Sequence, residues 1–302
     1  MKPLLCLTAI AWISIGVFAQ TPVKSTVEHL DFNRPEAWAL KYFTSTTLLN
    51  GLPLTPGEVH HAGSITVSLE LGWVPYLNPD RARVGFTGSK QEDLNKAPIV
   101  ARPVVRVGLP WMFSAIVAAP PPFEVFGITP RLVAFGLERP IVERNMWNFS
   151  WRGYGQLGSV KGAFTCPSFV LGLPAGSAGN PSGCVGESRD VAYLRYGGME
   201  LQYAHRIPGF PKLTPHVSAA FNHIYSDFQV DAPLVNLHDR SRLWTRGQTF
   251  STTAGVSYLL TRHVEFAVDA FYTPLLVRRP NTAPATNDGL FNVRALLSYT
   301  FR

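Results

Sequence analysis

His216, Val217 and Ser218 form a short stretch whose side chains have the types needed for nucleophilic catalysis. In a β-strand, an imidazole and a hydroxyl two positions apart lie on the same face. A serine nucleophile needs its base within hydrogen-bonding reach, and this spacing can provide it. The sequence shows no Asn or Glu that would orient the imidazole. We therefore expect no catalytic residues, and a hydrolase that uses this pair is the less favoured alternative.

Glu58, His60 and His61 are possible metal ligands that lie close together in the chain. They belong to a stretch, residues 49–62, whose glycine and proline content predicts a loop. Their spacing is not that of a metal site. We expect neither a metal nor a cofactor.

Cys166 and Cys184 flank a stretch that is rich in glycine, proline and serine and has no strand pattern. Two cysteines around such a loop in an exported protein predict a disulfide, and two free thiols are the alternative. In the chain-entropy model, closing a loop of this size contributes about 3 kcal/mol. Two cysteines alone do not complete a zinc site.

The N-terminus has the features of a secretory signal peptide. Lys2 precedes an apolar run from residue 4 to residue 18, and Val17-Phe18-Ala19 is a small-residue cleavage pattern. An uncleaved anchor is the alternative, but the run is short for a span of about 20 residues. We predict cleavage after Ala19, a short polar periplasmic extension over residues 20–35, and a folded domain over residues 36–302.

Alternation of apolar and polar residues is the strongest pattern in the chain. In the stretch 264–272, Phe266, Val268 and Ala270 lie on one face, and Asp269 lies on the other. An apolar face toward lipid and a polar face toward the interior are typical of a transmembrane β-barrel. The candidates for the lumen-facing set are Glu70, Arg106, Arg152, Glu200, Gln202, His263, Glu265, Asp269 and Arg294.

About twelve such strands can be identified, with ten or fourteen as alternatives, and they include the stretches 38–43 and 81–88. A soluble β-sandwich also alternates, but strands of about 9 to 11 residues suit a membrane. The predicted fold is an all-β, antiparallel, up-and-down transmembrane barrel. Long connections alternate with short ones, which places the cysteine loop outside and both termini in the periplasm.

The signal peptide, the alternating strands and the ending Leu296-Leu297-Ser298-Tyr299-Thr300-Phe301-Arg302 together resemble bacterial outer-membrane β-barrel proteins. The resemblance implies an outer-membrane location, with membrane lipids and lipopolysaccharide as partners. It also implies recognition by the barrel assembly machinery, which reads a C-terminal aromatic residue. Here Arg302 follows Phe301, which departs from the family's ending.

The function expected for such a barrel is a channel or transporter for small solutes, because charged side chains in a lumen set selectivity. Both signs of charge occur, so no ion preference is predicted. The same residues could instead pair within a plugged lumen. A structural or adhesive barrel that acts through its loops is a second alternative. The hydrolase alternative has a counterpart in the family, since outer-membrane phospholipases and lipid A deacylases use a His-x-Ser arrangement.

The formal net charge of +7 partly reflects arginines in predicted loops. Such groups can attract anionic lipopolysaccharide, as basic segments attract anionic lipids. We expect no nucleic-acid partner. The loop arginines are Arg240, Arg242, Arg278 and Arg279.

Overall fold

The computed structural model describes residues 22–56 and 62–301. The expected signal peptide with its cleavage site after Ala19 lies outside these described residues, as do Glu58, His60 and His61. Within the described part of the chain, no helix is both long enough and apolar enough to cross a membrane.

Ten antiparallel strands form a closed barrel. They are β1 (Ile65–Trp73), β2 (Ile99–Gly108), β3 (Ser114–Ala118), β4 (Ile128–Glu143), β5 (Trp147–Gly162), β6 (Asp190–His205), β7 (Leu213–Gln229), β8 (Arg242–Leu259), β9 (Val264–Thr273) and β10 (Leu290–Phe301). Strands that follow one another in the chain pair with one another, and β10 pairs with β1 to close the wall. One further strand, Val27–His29, pairs with the barrel from outside this circle.

The two faces of the wall are inverted relative to those of a soluble protein. Outward side chains are apolar yet exposed, as for Leu69 at 46% and Leu297 at 51%. Their inward neighbours Ser68 and Ser298 are buried and share a hydrogen bond of 2.8 Å. This inversion is the arrangement that a barrel in lipid requires.

The prediction of about twelve strands is corrected to ten, because two of the predicted strands lie outside the wall. Residues 38–43 belong to helix α1 (Pro35–Thr46). Residues 81–88 form a two-residue strand, Arg83–Val84, and a short helix, Gly85–Gly88. Proline at the first helical position and Glu36 in the first turn favour a helix start, and these signals outweigh the short alternation.

Helix α1 is buried on nearly all sides because the barrel encloses it. Trp38 and Tyr42 are 0% and 1% exposed, and Lys41 on another side is 1% exposed. A helix enclosed in this way has no polar face, so its sequence lacks a clear helical period. Residues 47–56 continue from α1 through the lumen. We call residues 35–56 the plug.

The N-terminal segment enters the barrel from the end that carries the long connections. Val27–His29 pairs in parallel with the first residues of β8, and Leu30 N–H donates to the Trp244 carbonyl. Residues 20–35 are predicted to be a short periplasmic extension. The described part of that stretch, residues 22–35, lies at the barrel end opposite to Phe301.

Connections alternate in length around the barrel, as expected. The long ones span residues 74–98, 119–127, 163–189, 230–241 and 274–289, and the short ones span residues 109–113, 144–146, 206–212 and 260–263. We call the two ends the long-loop end and the short-turn end. The remaining elements are the strands Val23–Lys24, Lys90–Gln91, Ala232–Leu234, Leu237–Asp239, Leu276–Val277 and Thr286–Asn287 and the 3-10 helices Pro110–Met112 and Ser168–Val170.

The predicted disulfide is present. Cys166 and Cys184 are joined in the connection 163–189, with their Cα atoms 5.7 Å apart. The bridge is buried against Val230 and Ala232 of the neighbouring connection. It therefore closes the connection 163–189 on itself and packs it against the connection 230–241 at the long-loop end.

Candidate functional site

Buried arginines on the barrel wall hold the plug by its backbone carbonyls. Arg102 donates to the Thr47 carbonyl at 2.7 Å, and Arg152 donates to the Leu52 carbonyl at 2.6 Å. Arg106 and Arg294 donate to the carbonyls of Pro53 and Leu48 at 3.3 and 2.9 Å. Residues 47–56 form no ladder of their own, so these side chains supply donors that a buried backbone needs.

The same arginines are balanced by carboxylates on the wall. Arg152 lies between Glu138 at 2.7 Å and Glu200 at 2.5 Å, and Arg106 is 2.7 Å from Glu138. On β2 and the adjacent strands β1 and β10, Arg102 and Glu70 are 2.6 Å apart, and Arg294 lies 3.7 Å from Glu70. Removing Arg152 would leave Glu200 buried without its counter-charge.

Eight of the nine predicted lumen residues have their side chains in the barrel interior. Besides the charged network, Gln202 accepts a hydrogen bond from Leu54 N–H at 3.2 Å, and Glu265 accepts one from the Thr55 hydroxyl at 2.7 Å. His263 does not face the lumen. It is exposed in the turn between β8 and β9, and its ring stacks on Tyr299 with the centroids 5.9 Å apart.

Arg102 and Glu138 belong to the network but are absent from the sequence-predicted set. Arg102 lies four positions before Arg106 on one strand, so period two alone assigns it to the same face. Glu138 lies in a strand whose alternation is interrupted by Pro130, which hides its facing. The position of residues 47–56 inside the lumen cannot be predicted from the sequence, since an extended segment without alternation has the sequence pattern of a loop.

His216 is oriented by a carboxylate that the sequence does not reveal. Its Nε2 lies 2.6 Å from Asp269 Oδ1, and both side chains are buried. Ser218 is also buried, and its hydroxyl has no hydrogen-bond partner among the described residues. His216, Ser218 and Asp269 are all buried inside the barrel. These side chain types occur in hydrolytic sites, but here they are not exposed to a substrate. No cluster of three possible ligands that fits a metal ion occurs in residues 22–56 and 62–301.

Gly255 separates His216 from Asp269, and its substitution by alanine should break their contact. A Cβ at this position would lie 1.9 Å from Asp269 Oδ1, 2.7 Å from the Val268 carbonyl oxygen and 2.8 Å from His216 Nε2. We expect Gly255→Ala to lower the free energy of unfolding by about 2 to 3 kcal/mol, since two buried polar groups lose their partner. Urea unfolding in lipid vesicles measures this loss.

The matched control is Gly197→Ala on β6, where the added Cβ would contact only a carbonyl 3.9 Å away. This variant should unfold within about 0.5 kcal/mol of the unmodified protein. Equal stability of the two variants would show that the His216–Asp269 contact does not contribute.

A cavity of about 640 Å³ lies in the lumen at the long-loop end, beside helix α1. Its lining is mostly apolar and includes Leu132 of β4, Leu194 of β6 and Phe43 of α1. Its volume lies within the range of about 300 to 1,000 Å³ that small-molecule sites occupy. The lining also includes Val160, Phe164, Ala192, Phe228 and Val230.

Charged side chains complete the lining of the cavity on the loop side. Lys90 and Glu92 form an ion pair of 2.8 Å there. Burial raises the pKa of Glu92 to about 7, and the Lys90 ammonium acts in the opposite direction. The cavity therefore combines an apolar interior with charged groups in the connection above it.

This cavity is not predicted from the alternation of the strands, because alternation places polar residues in the interior. The signal that could have revealed it is local apolarity on both faces. Leu132 and Val133 are consecutive on β4, and Tyr193 and Leu194 are consecutive on β6. Where neighbouring strands lose their alternation at the same end, the lumen becomes apolar there.

The closed antiparallel wall, its exposed apolar outer face and its buried polar inner face define an outer-membrane-type transmembrane β-barrel. No protein-family model matches the chain, and no curated protein matches it by sequence.

Solved structures with similarity to this chain are bacterial outer-membrane proteins. The protease OmpT from Escherichia coli has a TM-score of 0.36 and 11% identity over 79% of this chain and 94% of that chain. The attachment invasion locus protein Ail of Yersinia pestis has a TM-score of 0.30 and 11% identity over 80% and 99%. OprG from Pseudomonas aeruginosa has a TM-score of 0.28 and 13% identity over 80% and 98%. The class of this chain rests on its own barrel.

Proposed function

We propose that this protein is a bacterial outer-membrane transporter that takes small apolar or amphipathic solutes into the cavity beside α1. The observation that carries the proposal is the cavity itself, which is mostly apolar, of ligand size and bounded by the barrel wall, helix α1 and the connections at the long-loop end. The long-loop end faces the outside in this proposal, so the cavity receives solutes from the cell exterior. The loop arginines meet lipopolysaccharide at the same end.

Transport of this kind suits the plugged lumen better than passive ion flow does. The charged residues that would line an ion pathway contact the plug or one another, as Arg152 does with Leu52 and Glu200. A solute that has entered the cavity passes further only when the plug shifts. We propose a non-enzymatic role, since the imidazole and hydroxyl of His216 and Ser218 are buried away from the cavity.

The test fills the cavity with a larger side chain. Ala192 is buried in its lining, and Ala192→Phe should reduce the affinity for 1-N-phenylnaphthylamine, an apolar fluorescent probe. We expect a loss of about tenfold or more, equivalent to about 1.4 kcal/mol. Fluorescence titration of the purified protein in lipid nanodiscs measures it.

The matched control is Ala270→Phe, the same substitution at an exposed position on the outer face of β9. Its probe affinity should equal that of the unmodified protein. Both variants must retain the shift in mobility between unboiled and boiled samples on a detergent gel, which reports a folded barrel. Equal probe binding by all three folded proteins would overturn the proposal.

A further inference from the structure

The barrel wall has a break beside the cavity. Strand β3 has only five residues, and its ladders reach from Ser114 to Ala118 on both sides. Beyond Ala118, a single hydrogen bond from Ala119 N–H to the Pro103 carbonyl continues the contact with β2. The wall therefore lacks one strand over its upper part on this side.

Both edges of the break are strand segments that pair on one side only among the described residues. On β2, residues 99–103 pair with β1, and on β4, residues 128–133 pair with β5. Six residues of strand extend over about 20 Å, which is the length of the unpaired edge on β4. We call this break the seam.

Prolines prevent the seam from closing by strand pairing. Pro103 and Pro130 lie in its two edges, and Pro120, Pro121 and Pro122 lie in the connection between them. A proline has no N–H to donate to a ladder, so neither edge offers a complete set of donors. The break is thus encoded in the sequence.

The seam leads into the cavity, and the connection that crosses it exposes large apolar side chains. Residues of both edges, including Ile99 and Leu132, line the cavity. In the connection that crosses the seam, Phe123 and Phe126 are 61% and 59% exposed. Val125 and Ile128 exchange hydrogen bonds of 2.8 and 3.1 Å, which close a tight turn that presents Phe126 at its tip.

We propose that the seam is a lateral entrance through which an acyl chain from the outer leaflet of the membrane reaches the cavity. The inference rests on the proposed function for the role of the cavity and names its route of entry. An acyl chain fits because the exposed phenylalanines of the connection and the buried Leu132 and Leu194 of the cavity offer it apolar contacts. A polar solute would gain nothing from entering through lipid.

The test is photo-cross-linking from inside the barrel. A benzophenone amino acid replaces Leu132, and the full-length protein is reconstituted in dioleoylphosphatidylcholine vesicles and irradiated. Mass spectrometry should find phospholipid attached to this inward position at a yield comparable to that from Leu297, which faces lipid. Leu296, inward on β10 and 4% exposed, is the matched negative control.

A second variant closes the route without touching the cavity floor. Adding Phe126→Asp should remove the lipid adduct at position 132 and leave that at position 297 unchanged. If the Leu132 variant fails to fold, Leu194 on β6, in the same buried cluster, serves as the photoreactive position. Lipid adducts absent from both inward positions, with adducts at position 297 intact, would overturn the lateral entrance.

The cross-linking experiment and the probe titration test the lateral entrance and the cavity independently. Lipid capture without an effect of Ala192→Phe on probe binding would support the lateral entrance and contradict the proposed transport of small solutes. Probe binding that depends on Ala192, without lipid capture, would support the cavity as a binding site and contradict the lateral entrance.

Discussion

Replacement of Arg152 by alanine should lower the free energy of unfolding by about 3 to 5 kcal/mol, the cost of breaking a buried ion pair from one side. Its guanidinium lies between Glu138 and Glu200, whose side chains are 2% and 1% exposed. Without it, two carboxylates share a low-dielectric space with one fewer counter-charge. The Leu52 carbonyl of the plug also loses its donor.

Urea unfolding in lipid vesicles provides the measurement, with Arg131→Ala as the control. Arg131 lies on the adjacent strand β4 but is exposed on the outer side of the barrel. Its removal should change stability by no more than about 0.5 kcal/mol. A similar small loss in both variants would mean that the wall does not depend on the charges that contact the plug.

A cysteine at Val27 should react fully with a membrane-impermeant maleimide added to intact cells. Val27 is 73% exposed and lies at the long-loop end, beside the start of β8. In Thr261→Cys, at the short-turn end, the thiol should remain unlabelled until the outer membrane is permeabilised. The reagent cannot cross the membrane, so the difference between the two variants approaches all or none.

The labelling result decides which way the N-terminal segment runs through the barrel. Labelling of Thr261→Cys alone would place the long-loop end in the periplasm. Protection of both variants in intact cells, with labelling after permeabilisation, would return residues 22–30 to the periplasmic side. Both variants need an intact Cys166–Cys184 bridge, which a thiol count of the unmodified protein verifies.

The wall of the barrel could be predicted from sequence because lipid imposes one rule on every outward position. β8, β9 and β10 alternate cleanly, and even the exception Leu296 has a structural reason, since it packs inward against the buried core that includes Ala267. The disulfide could also be predicted from the sequence, because Cys166 and Cys184 are the only cysteines that follow the expected signal peptide. These features depend on residue type and spacing alone.

The pairing of the lumen charges could not be predicted, because it depends on register between strands. Glu138 and Glu200 lie directly opposite Arg152 on the two neighbouring strands, and Glu70 lies directly opposite Arg102. Cross-strand neighbours of this kind interact most strongly. Alternation predicts which face a residue occupies, but it does not predict which residue lies opposite on the neighbouring strand.

Helix α1 escaped prediction for a different reason. A helix on the surface of a protein shows a polar and an apolar side, whereas α1 is enclosed and shows neither. Its alternation of Trp38, Leu40 and Tyr42 resembles a strand over a few residues. Pro35 and Glu36 were the available signs of a helix start.

The enclosed plug also sets a constraint on biosynthesis. Residues 35–56 leave the ribosome before any strand of the wall, while β10, which closes the wall on β1, is made last. Until then Trp38, Tyr42, Leu48 and Leu49, all at most 1% exposed in the finished barrel, have no lumen to enter. Exposed apolar side chains at that stage promote aggregation. Shielding of these side chains, from the synthesis of α1 until the last strand arrives, would prevent this aggregation.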